Sequence, residues 1–439
     1  MELTTASVYS DNRQRPEITQ QPHPVSRWWM RHHMHIGLAS LAGSAILMCI
    51  VAVILLPIAV RKPSDDEEPC TTGIPQGPWS TPSTLKLNNT NRFNFSYAGT
   101  QKASFDLLCA LNATWKINAI TIAGSSNDSN LFSRANLNHP NDILLTTDGS
   151  LFIADSENHR IVYWPTNVTK GQIVIGTGTA GSWANLLKYA AAVVGAEAVF
   201  AEFPSFVAWN DQLYVSDLGN YRIMAFPLST DEDAPDGVTI VGQYGAGSAL
   251  DQINSVYYMY VDSTRGILYL SDFENHRVLN MNLTDYELQL VVGTGFNGSN
   301  NASLNLPLGI TVDENTRALY VADSRNHRIQ KFDFNSKEGL TVAGGRSYGS
   351  NLSQLYFPSG IAIDAFGNIY VADTGNHRIV QWLIGAEQGL LVAGTGISGN
   401  SNNQLNHPVQ LKFDHYHNLY IVDRNNSRIQ RFDLISNGC

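Results

Sequence analysis

The chain has 439 residues, 43% of them hydrophobic and 15% charged, so it carries enough apolar material for a sizeable core and disorder is not its default state. Lys+Arg 28 against Asp+Glu 38 leave a net charge of −10, which argues against nucleic acid as a partner because polyanions need a basic footprint. Gly 35 and Asn-rich turns suit an all-β chain with many short connections.

Residues 36–60 read IGLASLAGSAILMCIVAVILLPIAV, a run without a single charge. At the helical rise it spans about 37 Å, enough for a bilayer core of about 30 Å with some tilt. A secretory signal peptide is shorter and nearer the start, so the expectation is a retained transmembrane helix behind a 1–35 tail. Arg13, Arg15, Arg27 and Arg31 precede it, whereas Arg61 and Lys62 follow and give way to Asp65, Asp66, Glu67 and Glu68. The positive-inside rule then places the tail in the cytoplasm and the remainder outside or in a lumen. Asn-x-Ser/Thr occurs at Asn88, Asn94, Asn112, Asn127, Asn167, Asn282, Asn297, Asn301, Asn351 and Asn425, and never before the span. These are the glycosylation candidates. A Pro/Ser/Thr-rich stalk is expected over 61–115 and a folded domain over 116–439.

From Leu137 onward the chain repeats itself. Six segments end a short apolar strand in Asp and continue through a turn to Arg: FIADSENHRIVYW, YVSDLGNYRIMAF, YLSDFENHRVLNM, YVADSRNHRIQKF, YVADTGNHRIVQW and YIVDRNNSRIQRF. The pairs are Asp155 and Arg160, Asp217 and Arg222, Asp272 and Arg277, Asp323 and Arg328, Asp373 and Arg378, and Asp423 and Arg428; successive Asp residues lie 62, 55, 51, 50 and 50 apart. Each period reads as four strands. The first follows Pro or its equivalent, the second ends at the Asp, and the third starts at the Arg. The fourth is a buried run ending in Gly, as in LTVAG from Leu340. Only five fourth strands follow the six cores, and the missing one stands ahead of the first as ITIAG, from Ile120 to Gly124. The spacing predicts a six-bladed β-propeller whose last blade is closed by the N-terminal strand, leaving no open sheet edge at the joint.

The Asp-x-x-Asn-His-Arg core with a Gly-ended fourth strand resembles the NHL repeat family, whose members form six-bladed propellers. The resemblance covers about three quarters of the chain, and Tyr221 and Ser427 depart from its His. Because these polar residues recur in every blade, they read as turn and ion-pair structure rather than one asymmetric catalytic constellation. Asp and Asn are expected to bond the turn backbone, and Arg to grip an Asp in bidentate fashion.

Cys49 falls within the span, leaving Cys70, Cys109 and Cys439 in an oxidising compartment. A Cys109–Cys439 disulfide would lock the closure, contributing about 4–5 kcal/mol in the loop-entropy account. Cys70 would then be free to link two chains; the other two pairings remain open.

Relatives with a RING and this propeller ligate ubiquitin, but a RING needs eight Cys/His ligands and the tail has no Cys. Some six-bladed propellers are zinc enzymes, and the peptide-amidating lyase is the analogue that resemblance offers. Its zinc histidines follow the Pro of the inner strands, where this chain is expected to place Asn141, Ser205, Ser255, Leu308, Ser359 and Val409. None replaces an imidazole ligand. His139 and His407 precede their Pro instead, and two histidines fall short of a three-ligand site. No catalysis, metal or cofactor is therefore expected, with a channel-bound zinc or calcium lyase as the alternative. The favoured expectation is a binding scaffold for an extracellular protein or glycan. Asn141, Asp142, Ser205, Ser255, Ser359 and Gln410 are the candidates at the channel mouth. The insertion from Thr179, TAGSWANLLKYAAAVVGAEAV, is expected to explain the 62-residue period, its Trp183, Leu186, Leu187 and Tyr189 forming a short helix over one face.

Overall fold

The computed structural model describes residues 113–124, 136–196, 212–227 and 236–436. The expected tail, span and all but the end of the stalk lie outside them, as do Cys70, Cys109, Cys439, Ser205 and the sequons at Asn88, Asn94, Asn112 and Asn127. Among the described residues no helix is long and apolar enough to cross a membrane.

Two strands precede the first blade, β1 (Thr114–Trp115) and β2 (Ile120–Gly124). Blade 1 holds β3 (Asp142–Leu145), β4 (Leu151–Asp155), β5 (Arg160–Trp164) and β6 (Gln172–Ile175). Blade 2 holds β7 (Ala190–Ala196), β8 (Gln212–Asp217), β9 (Arg222–Pro227) and β10 (Val238–Val241). Blade 3 runs through β11 (Val256–Asp262), β12 (Ile267–Asp272), β13 (Arg277–Asn282) and β14 (Leu288–Gly293). Blade 4 repeats the order in β15 (Pro307–Asp313), β16 (Ala318–Asp323), β17 (Arg328–Phe332) and β18 (Leu340–Gly344). Blade 5 follows with β19 (Pro358–Ile363), β20 (Ile369–Asp373), β21 (Arg378–Trp382) and β22 (Leu390–Ala393). Blade 6 takes only β23 (Pro408–Phe413), β24 (Leu419–Asp423) and β25 (Arg428–Phe432) from the C-terminal part, and β2 completes it. The register is antiparallel, with Ile120 opposite Arg431 and Gly124 opposite Arg428.

The closure expected from strand counting is present, and it is doubled. Trp115 and Thr114 pair with β26 (Leu434–Ser436) in a small second sheet, so the last residues assigned to the stalk belong to the propeller. The Trp115 indole N–H donates to His417 O at 2.9 Å and its ring meets Tyr370 edge-on at 5.8 Å. A two-residue strand gave no periodic signal by which to find it.

Strand alternation points each sheet's two faces at its neighbours, and an apolar cluster fills every blade-to-blade junction. Blade 6 meets blade 1 through Val422 and Ile429 against Ile143 and Ile153, all fully buried. Side chains of that size each contribute about 2 kcal/mol on burial. The fourth strands depart from expectation. They are the outer edges of their sheets, and β18 buries only Ala343 while Leu340 is exposed. The apolar run there reflects strand propensity on a rim, not a core strand. The Gly that ends each of these strands has a steric reason. At Gly176 and Gly394, both at positive φ, a Cβ would overlap the carbonyl oxygen of His159 or His377 in the adjacent turn.

Blade 2 corrects the reading of the insertion. Its inner strand is Ala190–Ala196, the latter part of the insertion, and the stretch holding Trp183, Leu186, Leu187 and Tyr189 forms no helix. Leu187 packs where Leu137, Ile253, Leu304, Leu355 and Leu405 sit in the other blades, all at 0–1% exposure. Ala190 pairs with Asp217 as Pro358 pairs with Asp373. The extra residues of the 62-residue period therefore fall between β7 and β8. The register also moves blade 3, where Tyr257, not Ser255, follows the Pro-equivalent Val256.

Candidate functional site

Four repeated residues build each blade's turn. Asp Oδ1 accepts a backbone N–H from the loop entering the inner strand, at 2.7 Å in every blade (Asn138, Lys188, Asn254, Asn305, Tyr356 and Asn406). Oδ2 accepts from the Arg Nε at 2.7 Å in all six copies and also from the turn Asn, as from Asn376 at 2.8 Å. The expected bidentate Arg–Asp fork does not form. The terminal guanidinium nitrogens go instead to loop carbonyls, as Arg378 does to Ser350 O, Asn351 O and Gln354 O. Within its own turn the Asp bonds the Asn side chain and not the backbone; the backbone N–H that it accepts comes from the strand-entry loop. Burial pushes each carboxyl's pKa up, and the converging donors pull against it. This is a structural set.

The His that closes the turn sits in the left-handed region, with φ 51 at His159 and 54 at His377. Its Nδ1 accepts a backbone N–H from the next blade: Tyr189 for His159, Leu306 for His276, Phe357 for His327 and His407 for His377, at 3.0 to 3.2 Å. The rings also meet the following residue edge-on, as in His327–Phe357 at 4.8 Å. This inter-blade staple went unread in the sequence, although an aromatic or His thirty residues after three of the four repeat histidines was its signal. At the ring's closing joint Ser427 Oγ takes the role more loosely, accepting from His139 N at 3.5 Å.

Turns between second and third strands share one face with the loops that carry the chain from each blade to the next; call it the turn face. There the inner strands converge on the channel mouth. Asn141 is buried, donates through Nδ2 to Ala191 O (2.7 Å) and Tyr257 O (3.2 Å), and accepts from Arg424 Nη1 (2.7 Å). Asp142 is buried one step deeper and accepts from Gln410 Nε2 at 3.0 Å and from Ile143 N and Val193 N. Burial pushes its carboxyl up to about 6, with Lys412 and these donors pulling against it. Ser359 donates to Val409 O at 2.8 Å, and Ser255 lies apart in the strand-entry loop beside Asn254. Tyr258 reaches from blade 3 to the facing blade 6, where its hydroxyl donates to Val409 O at 2.9 Å. The channel is thus crossed by a side chain beneath its mouth. Sequence reading missed Tyr258, Tyr257 and Arg424. Each replaces a different residue in the other copies, and only differences between copies, set in the right register, reveal them.

The five described inter-blade loops of the turn face each carry a large apolar side chain that folding leaves in solvent. Trp183, Tyr244, Phe296, Tyr348 and Ile397 are 64% to 78% exposed. The six described sequons, Asn167, Asn282, Asn297, Asn301, Asn351 and Asn425, are exposed, and the last four lie on this face. Asn425 Nδ2 is also 2.8 Å from His407 Nδ1. His139 and His407 are each tied to the preceding Asn through Nδ1, at 2.9 and 3.0 Å. Among the described residues no group of three or more His, Cys, Asp or Glu side chains is placed to hold a metal ion.

The architecture defines a class, the closed six-bladed propeller assembled from one repeat. The profile of the NHL repeat matches residues 137–162, 304–332 and 355–382. The chain is an NHL-repeat protein. It is homologous to NHL repeat-containing protein 2 of Homo sapiens, 26% identical over 244 residues that cover 49% of this chain and 34% of the relative. The Gallus gallus protein of the same description is 27% identical over 294 residues, covering 57% and 39%. The matches thus span under two fifths of those relatives' own length. Among solved structures, a structural genomics protein of unknown function from Bacteroides thetaiotaomicron aligns over 74% of this chain and 76% of its own, with TM-score 0.53 and 16% identity. An auxiliary nutrient binding protein from Bacteroides ovatus aligns over 74% and 78%, with TM-score 0.52 and 14% identity. At those identities the likeness concerns the fold alone.

Proposed function

We propose that the chain is a single-pass membrane protein that holds its NHL propeller outside the cell as a binding scaffold for a protein or glycan, without catalysis of its own. The observation that carries this reading is the rim of exposed apolar side chains at Trp183, Tyr244, Phe296, Tyr348 and Ile397, one in each described inter-blade loop and all on one face. Large exposed apolar side chains cost solubility, and although Tyr348 also meets His327 and Tyr356, contact with a partner is the best rationale for the set. The repeated polar residues support a scaffold, since their donors and acceptors are spent on turns and junctions. The exposed sequons and the uncharged run at 36–60 support the outward placement.

The purified full chain in detergent, screened against a glycan and protein array, tests it. A retained ligand should bind about tenfold or more weakly after Trp183→Ser with Tyr244→Ser, at unchanged melting temperature. Unaltered binding by that variant and by a matching Phe296→Ser, Tyr348→Ser pair would remove the rim from the account.

A further inference from the structure

The residue after the repeat Asp is Ser156, Leu218, Phe273, Ser324 and Thr374 in five blades, and Arg424 in the sixth. The repeat turn does not need a cation there. Arg424 leaves its own blade and crosses the closing joint, donating through Nη1 to Asn141 Oδ1 at 2.7 Å. Asn141 is itself fixed by two carbonyls of blades 2 and 3, so the guanidinium is anchored by one corner to a rigid acceptor. Its Nε is buried without a hydrogen-bond partner. Each repeat arginine, by contrast, spends its Nε on an Asp. Among the described residues no carboxylate is in ion-pair contact with Arg424. A partly buried guanidinium with an unused Nε edge is costly unless an anion completes it.

We propose that Arg424 and Asn141 form a binding site for a carboxylate monoanion at the turn-face mouth of the channel. Arg424 is half-buried with its Nε closed to solvent, so a planar carboxylate has to enter beside the guanidinium, where it takes the Nε/Nη2 edge by two parallel hydrogen bonds. Tyr258 crosses the channel below to Val409 O, which places the site on the turn-face side of that crossing. The surroundings select the charge. Glu157 and Glu274 lie close enough to act on Tyr257 together with Arg424, and Asp142 follows Asn141 on the inner strand. A single negative charge is compensated by Arg424, whereas a phosphate dianion meets those carboxylates as well. The site uses different residues from the rim, so it stands or falls independently of the rim reading.

The purified full chain, titrated at low salt with N-acetylglycine, N-acetylglycinamide, glucuronate, glucose and inorganic phosphate and followed by ligand-observed NMR, tests the proposal. At least one carboxylate should bind about tenfold or more tightly than its neutral counterpart and more tightly than phosphate. The first pair stands for a peptide C-terminus and the second for an acidic sugar, so the preferred pair names the source. Arg424→Gln should abolish the preference, and Arg424→Lys, which keeps charge without the fork, should weaken it. Equal binding of acid and neutral partner, stronger binding of phosphate, or an Arg424→Gln variant that retains the preference would each overturn the site. Should Arg424→Gln fail to fold, the wild-type comparison and Arg424→Lys still decide.

Discussion

Asp373 gathers four kinds of contact on one buried carboxylate: the Tyr356 N–H, the Asn376 amide, the Arg378 Nε and, through that arginine, three loop carbonyls. Asp373→Asn leaves the guanidinium buried without its charge partner and should cost about 3–5 kcal/mol in urea unfolding. An unchanged midpoint would show that the set is not structural. The repeat histidines make a pH-dependent contribution. Burial holds His327 down at about 4, with Arg325 adding to the effect, and lowers His159 and His276 as well. A folded pKa below the ordinary 6.5 means that the unfolded chain takes up protons first. The staple's stability is therefore complete above about 6.5 and is lost as pH falls from there toward 4. His327→Gln should flatten the stability decline between pH 7 and pH 5, and an identical decline in wild type and variant would contradict the staple. At this scale the sequence was legible where residues repeat. Asp and Arg announced a structural pair by recurring, although their true acceptors and donors lie in loops whose approach no spacing reveals. Arg424 and Tyr258 were hidden for the opposite reason: each occurs once, inside a pattern read for its likenesses.

At the scale of elements, period-2 alternation ending in Asp and restarting at Arg located the end of every second strand and the start of every third. Inner strands were found where Pro marked the entry, as at Pro307, Pro358 and Pro408. The rule failed in blade 2, where AAAVVGA carries neither Pro nor alternation, while a Pro at 204 offered a false start. The burial of Leu187 and the αL turn at Tyr189 set the strand instead. Outer strands were located correctly but taken for core, since a short apolar run does not say which side of it meets solvent. Their closing glycines give an elemental prediction. Gly394→Ala brings a Cβ onto the His377 carbonyl at a positive φ and should lower stability by about 1–3 kcal/mol. Gly385→Ala, also at positive φ but with open space around it, separates backbone strain from the clash and should cost less. Equal losses would assign the whole effect to backbone conformation.

For the whole molecule, the ring is held by apolar clusters at successive junctions, and the one between blades 6 and 1 joins segments almost three hundred residues apart in sequence. The N-terminal strand supplies blade 6 with its outer edge, and β1 with β26 adds a second, shorter clasp. Such long-range pairing is expected to form late in folding, because loop-closure entropy must be met before the contacts repay it. Arg424 and Ser427, both at this joint, are also where the repeat departs from itself. Much of the asymmetry of the turn face thus lies at the seam of the ring.

Closure by the N-terminal strand is the claim from which the rest follows, and an engineered cross-link tests it directly. Thr121 and Gln430 face each other across β2 and β25, their side chains 3.0 Å apart at the hydrogen-bonding atoms. Thr121→Cys with Gln430→Cys should form an intramolecular disulfide under mild oxidation, seen by peptide mapping of the monomer, and should raise the melting temperature relative to the reduced form. A pair that stays reduced, or that joins only separate chains, would contradict the closed ring.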